Sequence, residues 1–181
     1  MSELFASQKA AVPPHAAGCS GTPGRPSLSS RFIDDAFYMK EALTLAAKAF
    51  EMNEVPVGCV IVHEGKIISR AKNERVTQKN VLCHAEILAI DAACKYLGDW
   101  RLENTRLYVT VEPCPMCAGA IVQARIPYVI FGARSPKAGA AGSIINILNE
   151  PGFNHQVKVI EGVLEKEASG LLRRFFKNFR D

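Results

Sequence analysis

The chain has 181 residues, 22 Lys and Arg against 18 Asp and Glu, a formal net charge of +4 and 48% hydrophobic residues. That make-up suits a globular domain with a core that needs no disulfide or structural metal, and the charge falls short of the strongly basic balance of a dedicated nucleic-acid-binding domain. No apolar run reaches the length of about 18 residues that a membrane span needs, and the N-terminal stretch lacks the apolar core of a secretory signal, so a cytoplasmic protein is expected. The six cysteines are then expected as thiols for metal binding or catalysis, and their spacing matters more than their number.

Residues 1–31, rich in Ala, Pro, Ser and Gly, read as a disordered N-terminal extension, with a transit peptide as the alternative. They carry Lys9, Arg25 and Arg31 against Glu3, a net +2, which leaves +2 for the presumed folded domain, 32–181. From Phe32 to about Asn53 the apolar residues recur at helical spacing, with Asp34 and Asp35 suited to the first turn. A strand over 55–62, a turn at 63–66 and a strand over 67–71 follow as a hairpin. A helix is predicted over 83–97, a strand over 107–111, a helix over 117–124 and a strand over 128–131. Next come a Gly/Ala/Ser-rich loop over 132–143, a short apolar helix over 144–148, a strand over 157–160 and a closing helix over 164–179. Strand, helix and strand alternate in the second half, which predicts a layered α/β domain whose later strands are parallel.

The residues that carry chemistry sit where two predicted helices begin. His84-Ala85-Glu86 opens one, and Pro113-Cys114-Pro115-Met116-Cys117 opens the next. A Cys-x-x-Cys turn at a helix N-terminus puts two thiols on one side, where the helix dipole favours the thiolates that bind metal. His84, Cys114 and Cys117 make three ligands for one Zn²⁺ per subunit, the count of a catalytic site that keeps a position open. Either motif alone is weak: Cys114 and Cys117 could be a redox pair, and His84 a surface histidine. Together, in this order, they are a chance event of only about a few per thousand such chains. Zinc held there would acidify a water toward neutrality, and Glu86, two residues from His84, could move its protons to a ring nitrogen and a leaving amine. This is hydrolytic deamination. Cys19, Cys59, Cys83 and Cys94 receive no role.

With these motifs in place, the sequence from about Ile33 onward resembles the zinc-dependent cytidine-deaminase superfamily, and within it the bacterial tRNA-specific adenosine deaminases. The strings that carry the likeness are Glu54-Val55-Pro56-Val57-Gly58, Asn73, His84-Ala85-Glu86-Ile87, Leu107 to Cys114, Met116 to Ala120, Phe131-Gly132-Ala133-Arg134, Gly139 to Ser143 and Asn154-His155. The resemblance implies a three-layer cytidine-deaminase-like fold with a five-stranded mixed sheet flanked by helices. It also implies a homodimer and adenosine-to-inosine conversion at the wobble position of a tRNA anticodon loop. Carried over by position, Asn73 would hydrogen-bond the flipped base, and the backbone near Ala85 and the wall at Val57 would complete the pocket. Arg173, Arg174, Phe175, Phe176, Lys177, Phe179 and Arg180 place cations beside aromatics near the C-terminus. Of these Arg173 and Phe176, with Arg134 and Lys137 in the loop after a strand, are candidate RNA contacts; the alternative is an apolar packing face with a solvated basic face. Relatives commonly carry an acid where this chain has Ser135, followed by Pro136. A free-base or nucleotide deaminase and a non-catalytic zinc-stabilised RNA-binding subunit are the competing functions. The retention of Glu86 argues against the second.

Overall fold

A computed structural model describes residues 34–178. The predicted extension over 1–31, and Phe179 and Arg180 of the basic-aromatic segment, lie outside the described residues. The elements run α1 (Asp35–Glu51), β1 (Gly58–His63), β2 (Lys66–Lys72), α2 (Ala85–Leu97), β3 (Thr105–Val111), α3 (Pro115–Gln123), β4 (Tyr128–Ala133), β5 (Lys158–Ile160) and α4 (Glu165–Lys177). The five strands form one sheet in the order β2-β1-β3-β4-β5. The pairings β1/β2 and β1/β3 are antiparallel, whereas β3/β4 and β4/β5 are parallel. The mixed sheet and the parallel second half are as expected.

Both faces of the central strands are buried, and their alternation sorts the core into two layers. Cys59, Ile61, Leu107, Val109, Val129 and Phe131 face α2 and α3, while Val60, Val62, Tyr108 and Ile130 face the side of α1 and α4. The result is a three-layer sandwich. Local chemistry marks its corners. Asp34 accepts the Phe37 amide at 3.0 Å to cap α1, Gly98 ends α2 at φ 67°, and Glu64 and Gly65 turn the β1/β2 hairpin at φ 49° and 76°. Gly58 has a steric reason: a Cβ there would lie 2.0 Å from the Ala42 carbonyl oxygen, so α1 rests directly on the backbone of β1.

The predicted helix over 144–148 is absent. That stretch forms turns and a single bridge between Ala141 and Asn146. Its amides bond back to the preceding loop: Ile144 N to Gly139 O at 3.1 Å and Ile147 N to Ala140 O at 2.9 Å. A run this short gains too few helical bonds to compete with such partners. The boundaries also shift in informative ways. Val55-Pro56-Val57 precedes β1 and is not part of it, and α2 and α3 begin at Ala85 and Pro115. His84 and Cys114 are thereby left in the cap positions.

Candidate active site

The cavity opens beyond the carboxyl end of β3, where the N-termini of α2 and α3 meet. His84 and Cys114 are both extended at their cap positions, and neither side chain caps its own helix. Instead they turn toward each other. His84 Nδ1 lies 3.7 Å from Cys114 Sγ and 3.6 Å from Cys117 Sγ, and the three donor atoms all fall within 4.8 Å of one another. Zinc bonds of about 2.0 Å to nitrogen and 2.3 Å to sulfur, at tetrahedral angles, separate such donors by about 3.6 Å. The donor set therefore fits a zinc ion in both chemistry and spacing.

Within this cluster one thiol is driven toward the thiolate while its two partners are held toward their protonated forms. Hydrogen bonds from Cys117 and, against the pull of burial, from His84 hold the Cys114 thiol down to about 4. The buried Cys117 moves upward beside that thiolate, and His84 is raised by the same partnership with Cys114. Glu86, only 4% exposed, is pushed up to about 7. Burial is the main cause, and the neighbouring Cys114 thiolate adds to it. A carboxyl near neutrality can both accept and release a proton under ordinary conditions.

Val57, Asn73, His84, Glu86 and Cys114, all singled out from the sequence, line this one cavity, and Val55, Arg75, Val111, Glu112 and Ser135 complete its wall. Ala85 is fully buried as the first residue of α2. The candidate RNA contacts do not line the cavity. Arg134 is exposed and paired with Glu161 at 2.5 Å, while Lys137 and Arg173 are exposed. On α4 the two neighbouring aromatic residues differ in burial. Phe175 is buried against Phe50 with ring centroids 5.9 Å apart, whereas Phe176 is 50% exposed.

Sequence reasoning missed two buried acids that brace the walls. Glu54 accepts from Asn73 Nδ2 at 2.9 Å and the Thr77 amide at 2.6 Å. Glu112 accepts the amides of Ser135 at 2.9 Å and of Ala141 and Ser143 at 3.0 Å each, and the Ser143 hydroxyl donates to it as well. Burial alone would raise Glu112, but these donors outweigh it and leave its carboxyl below the usual range. Both acids lie inside strings that carry the likeness yet received no role, Glu54 next to Val55-Pro56-Val57-Gly58 and Glu112 two before Cys114. That adjacency was the available signal.

A MafB19-like deaminase family model matches residues 33–180. A tRNA-specific adenosine deaminase of Bacillus subtilis (strain 168) is 55% identical over 146 residues, spanning 81% of this chain and 91% of that protein. A structure solved in biochemical and structural studies of A-to-I editing by tRNA:A34 deaminases, acting at the wobble position of transfer RNA, superposes with a TM-score of 0.73 at 42% identity. The match covers 75% of this chain and 99% of that one. A guanine deaminase from Nitrosomonas europaea shares the fold, with a TM-score of 0.67 at 23% identity over 77% of this chain and 83% of its own. The family match spans nearly the whole folded region and the likeness to these relatives runs through both motif-bearing helix starts, so the chain belongs to the tRNA-specific adenosine deaminase family, among the MafB19-like deaminases.

Proposed function

We propose that residues 32–181 form a deaminase domain that converts adenosine to inosine at the wobble position of a tRNA anticodon loop, consuming one water and releasing ammonia. The observation that carries this reading is the cluster of His84, Cys114 and Cys117 at the edge of the cavity that His84, Cys114 and the buried Glu86 line. His84 Nδ1 and the two sulfurs would hold zinc, which when bound supplies the Lewis acidity that brings a water's ionisation close to neutrality. Glu86 takes one proton from the attacking water and delivers it to the ring nitrogen as oxygen bonds to the neighbouring carbon; it then takes the second proton from the added hydroxyl and delivers it to the amine, which leaves as ammonia as the carbonyl forms. Its pKa near 7 matches both halves of that task. Val57 supplies an apolar wall, Asn73 a polar contact to the base, and the backbone at Ala85 a hydrogen-bond donor.

The base must leave its stack to reach so enclosed a carboxyl, and a single-stranded loop presents it at low cost. Lys137, Arg173 and the exposed Phe176 are the side chains available for the flanking nucleotides, with Arg75 at the rim of the cavity. Arg134 can join them only by exchanging its pairing with Glu161. The domain works as a cytoplasmic homodimer. Among the described residues no helix is long and apolar enough to cross a membrane.

The test is incubation of the purified protein with an anticodon stem-loop carrying adenosine at the wobble position, and in parallel with free adenine, guanine and adenosine. Inosine in the stem-loop is the expected result. Ammonia release from the free compounds alone would overturn the reading in favour of a free-base deaminase, an activity the guanine deaminase shows this fold to carry.

A further inference from the structure

Glu54 is a fully buried carboxylate that the chemistry above leaves unused. It follows α1, its own amide bonded to Ala49 O at 2.9 Å, and it reaches across to the segment after β2. There it accepts the Asn73 side-chain amide and the Thr77 backbone amide. Burial works against its charge, but Thr77, the Val76 amide and the cation of Arg75 prevail and hold the carboxyl below its usual range. Glu54 is therefore ionised near neutral pH. An ionised carboxylate can only accept, so Asn73 is obliged to turn its NH2 group toward Glu54. Which way round the Asn73 amide sits is thus decided by the charge on its neighbour.

The other end of that amide faces the cavity. Among the described residues, the only buried side-chain N or O atom without a partner is Ser69 Oγ. Asn73 Oδ1 accepts no bond from any described residue, so it is reached from the cavity that Asn73 lines. The backbone at Asn73 is fixed as well, its amide bonded to Val57 O at 2.9 Å. A freely turning amide would present its donor and acceptor interchangeably. A locked one presents them in a single order.

We propose that Glu54 is a positioning residue, which locks the Asn73 amide so that Oδ1 and the remaining N–H meet the substrate base in one orientation. This rests on the reading of Asn73 as a base contact. Because Glu54 also holds Thr77, the same carboxylate ties the segment leading to His84 to the segment before β1.

The experiment is a double-mutant cycle of Glu54→Gln and Asn73→Ala, read as single-turnover kcat/KM on the wobble-adenosine stem-loop, with zinc content and melting temperature measured for every variant. Glu54→Gln is expected to lower kcat/KM about tenfold in the wild-type background and less than about twofold in the Asn73→Ala background, at unchanged zinc content. Equal losses in both backgrounds would overturn the role of Glu54. A wild-type kcat/KM for Asn73→Ala would instead sink the reading of Asn73 itself. Should Glu54→Gln also lower the melting temperature, the pair Glu54→Gln/Asn73→Asp rebuilds the hydrogen bond with donor and acceptor exchanged. Recovery of stability without recovery of kcat/KM is expected. Recovery of both would mean that Glu54 only supports the fold.

Discussion

Glu86 and Glu112 are the same residue type at nearly the same burial, 4% and 3% exposed, on the same cavity, yet their carboxyls move in opposite directions. Glu86 stands in the first turn of α2 beside the Cys114 thiolate and is pushed up to about 7. Glu112 is wrapped by a loop that aims three amides and a hydroxyl at it, and its carboxyl falls. Burial therefore does not decide what a buried acid does; the donors folded around it do. One acid is left near neutrality, as the proposed proton transfer requires. The other is kept charged so that a loop has something to close upon.

That contrast can be broken at several points, in order of expected size. Cys114→Ala removes one of the three donors, and the expected result is loss of zinc by elemental analysis together with loss of all measurable deamination. Glu86→Gln keeps the donors and removes the proton carrier, so zinc content should persist while kcat falls about 10²- to 10⁴-fold in a stem-loop assay. An active Glu86→Gln protein would refute its assignment. Glu112→Gln replaces an acceptor-only group with one that donates toward amides, at an expected cost of about 3 kcal/mol in denaturant unfolding. Gly139→Ala attacks the same contact from the loop side, since a Cβ there would lie 2.3 Å from the Glu112 carboxylate. About 1–3 kcal/mol of destabilisation should follow, and kcat should suffer less than in Glu86→Gln.

Acid sharpens the comparison further. The pKa of Glu112 is depressed in the folded state, so its contribution to stability is present above the unfolded value of about 4.3 and is lost as pH falls through the folded one. The melting temperatures of wild type and Glu112→Gln should converge on acidification below about pH 4. A gap that stayed constant from neutral to acid pH would contradict the assignment of that stability to the charged form.

Much of the site was legible because its chemistry is local in sequence. His84 and Cys114 could be placed at helix starts from apolar periodicity and the Pro-Cys-x-x-Cys spacing alone, and α2 and α3 begin within two residues of that expectation. The strand order and the bracing acids were another matter. Glu112 finds its donors 23 to 31 residues away, and Asn73 finds Glu54 at 19. Nothing in a linear window marks such partners. The false helix over 144–148 has the same origin, since its apolar run is real but the loop beside it is organised by Glu112. Arg134 shows the limit of reading cations from sequence, because its pairing with Glu161 of the segment after β5 could not be foreseen.

The uncapped starts of α2 and α3 have a consequence for how this protein can be improved. A cap position filled by Ser, Thr, Asp or Asn usually stabilises a protein by about 1 kcal/mol over a residue that does not cap. Here two of them hold His84 and Cys114, whose side chains leave their own helices unserved. A search for thermostable variants that ignores turnover should therefore return capping residues at 84 and 114 among its gains, and each would erase the enzyme. If these two side chains hold zinc as proposed, thermal resistance and catalysis compete for the same two positions.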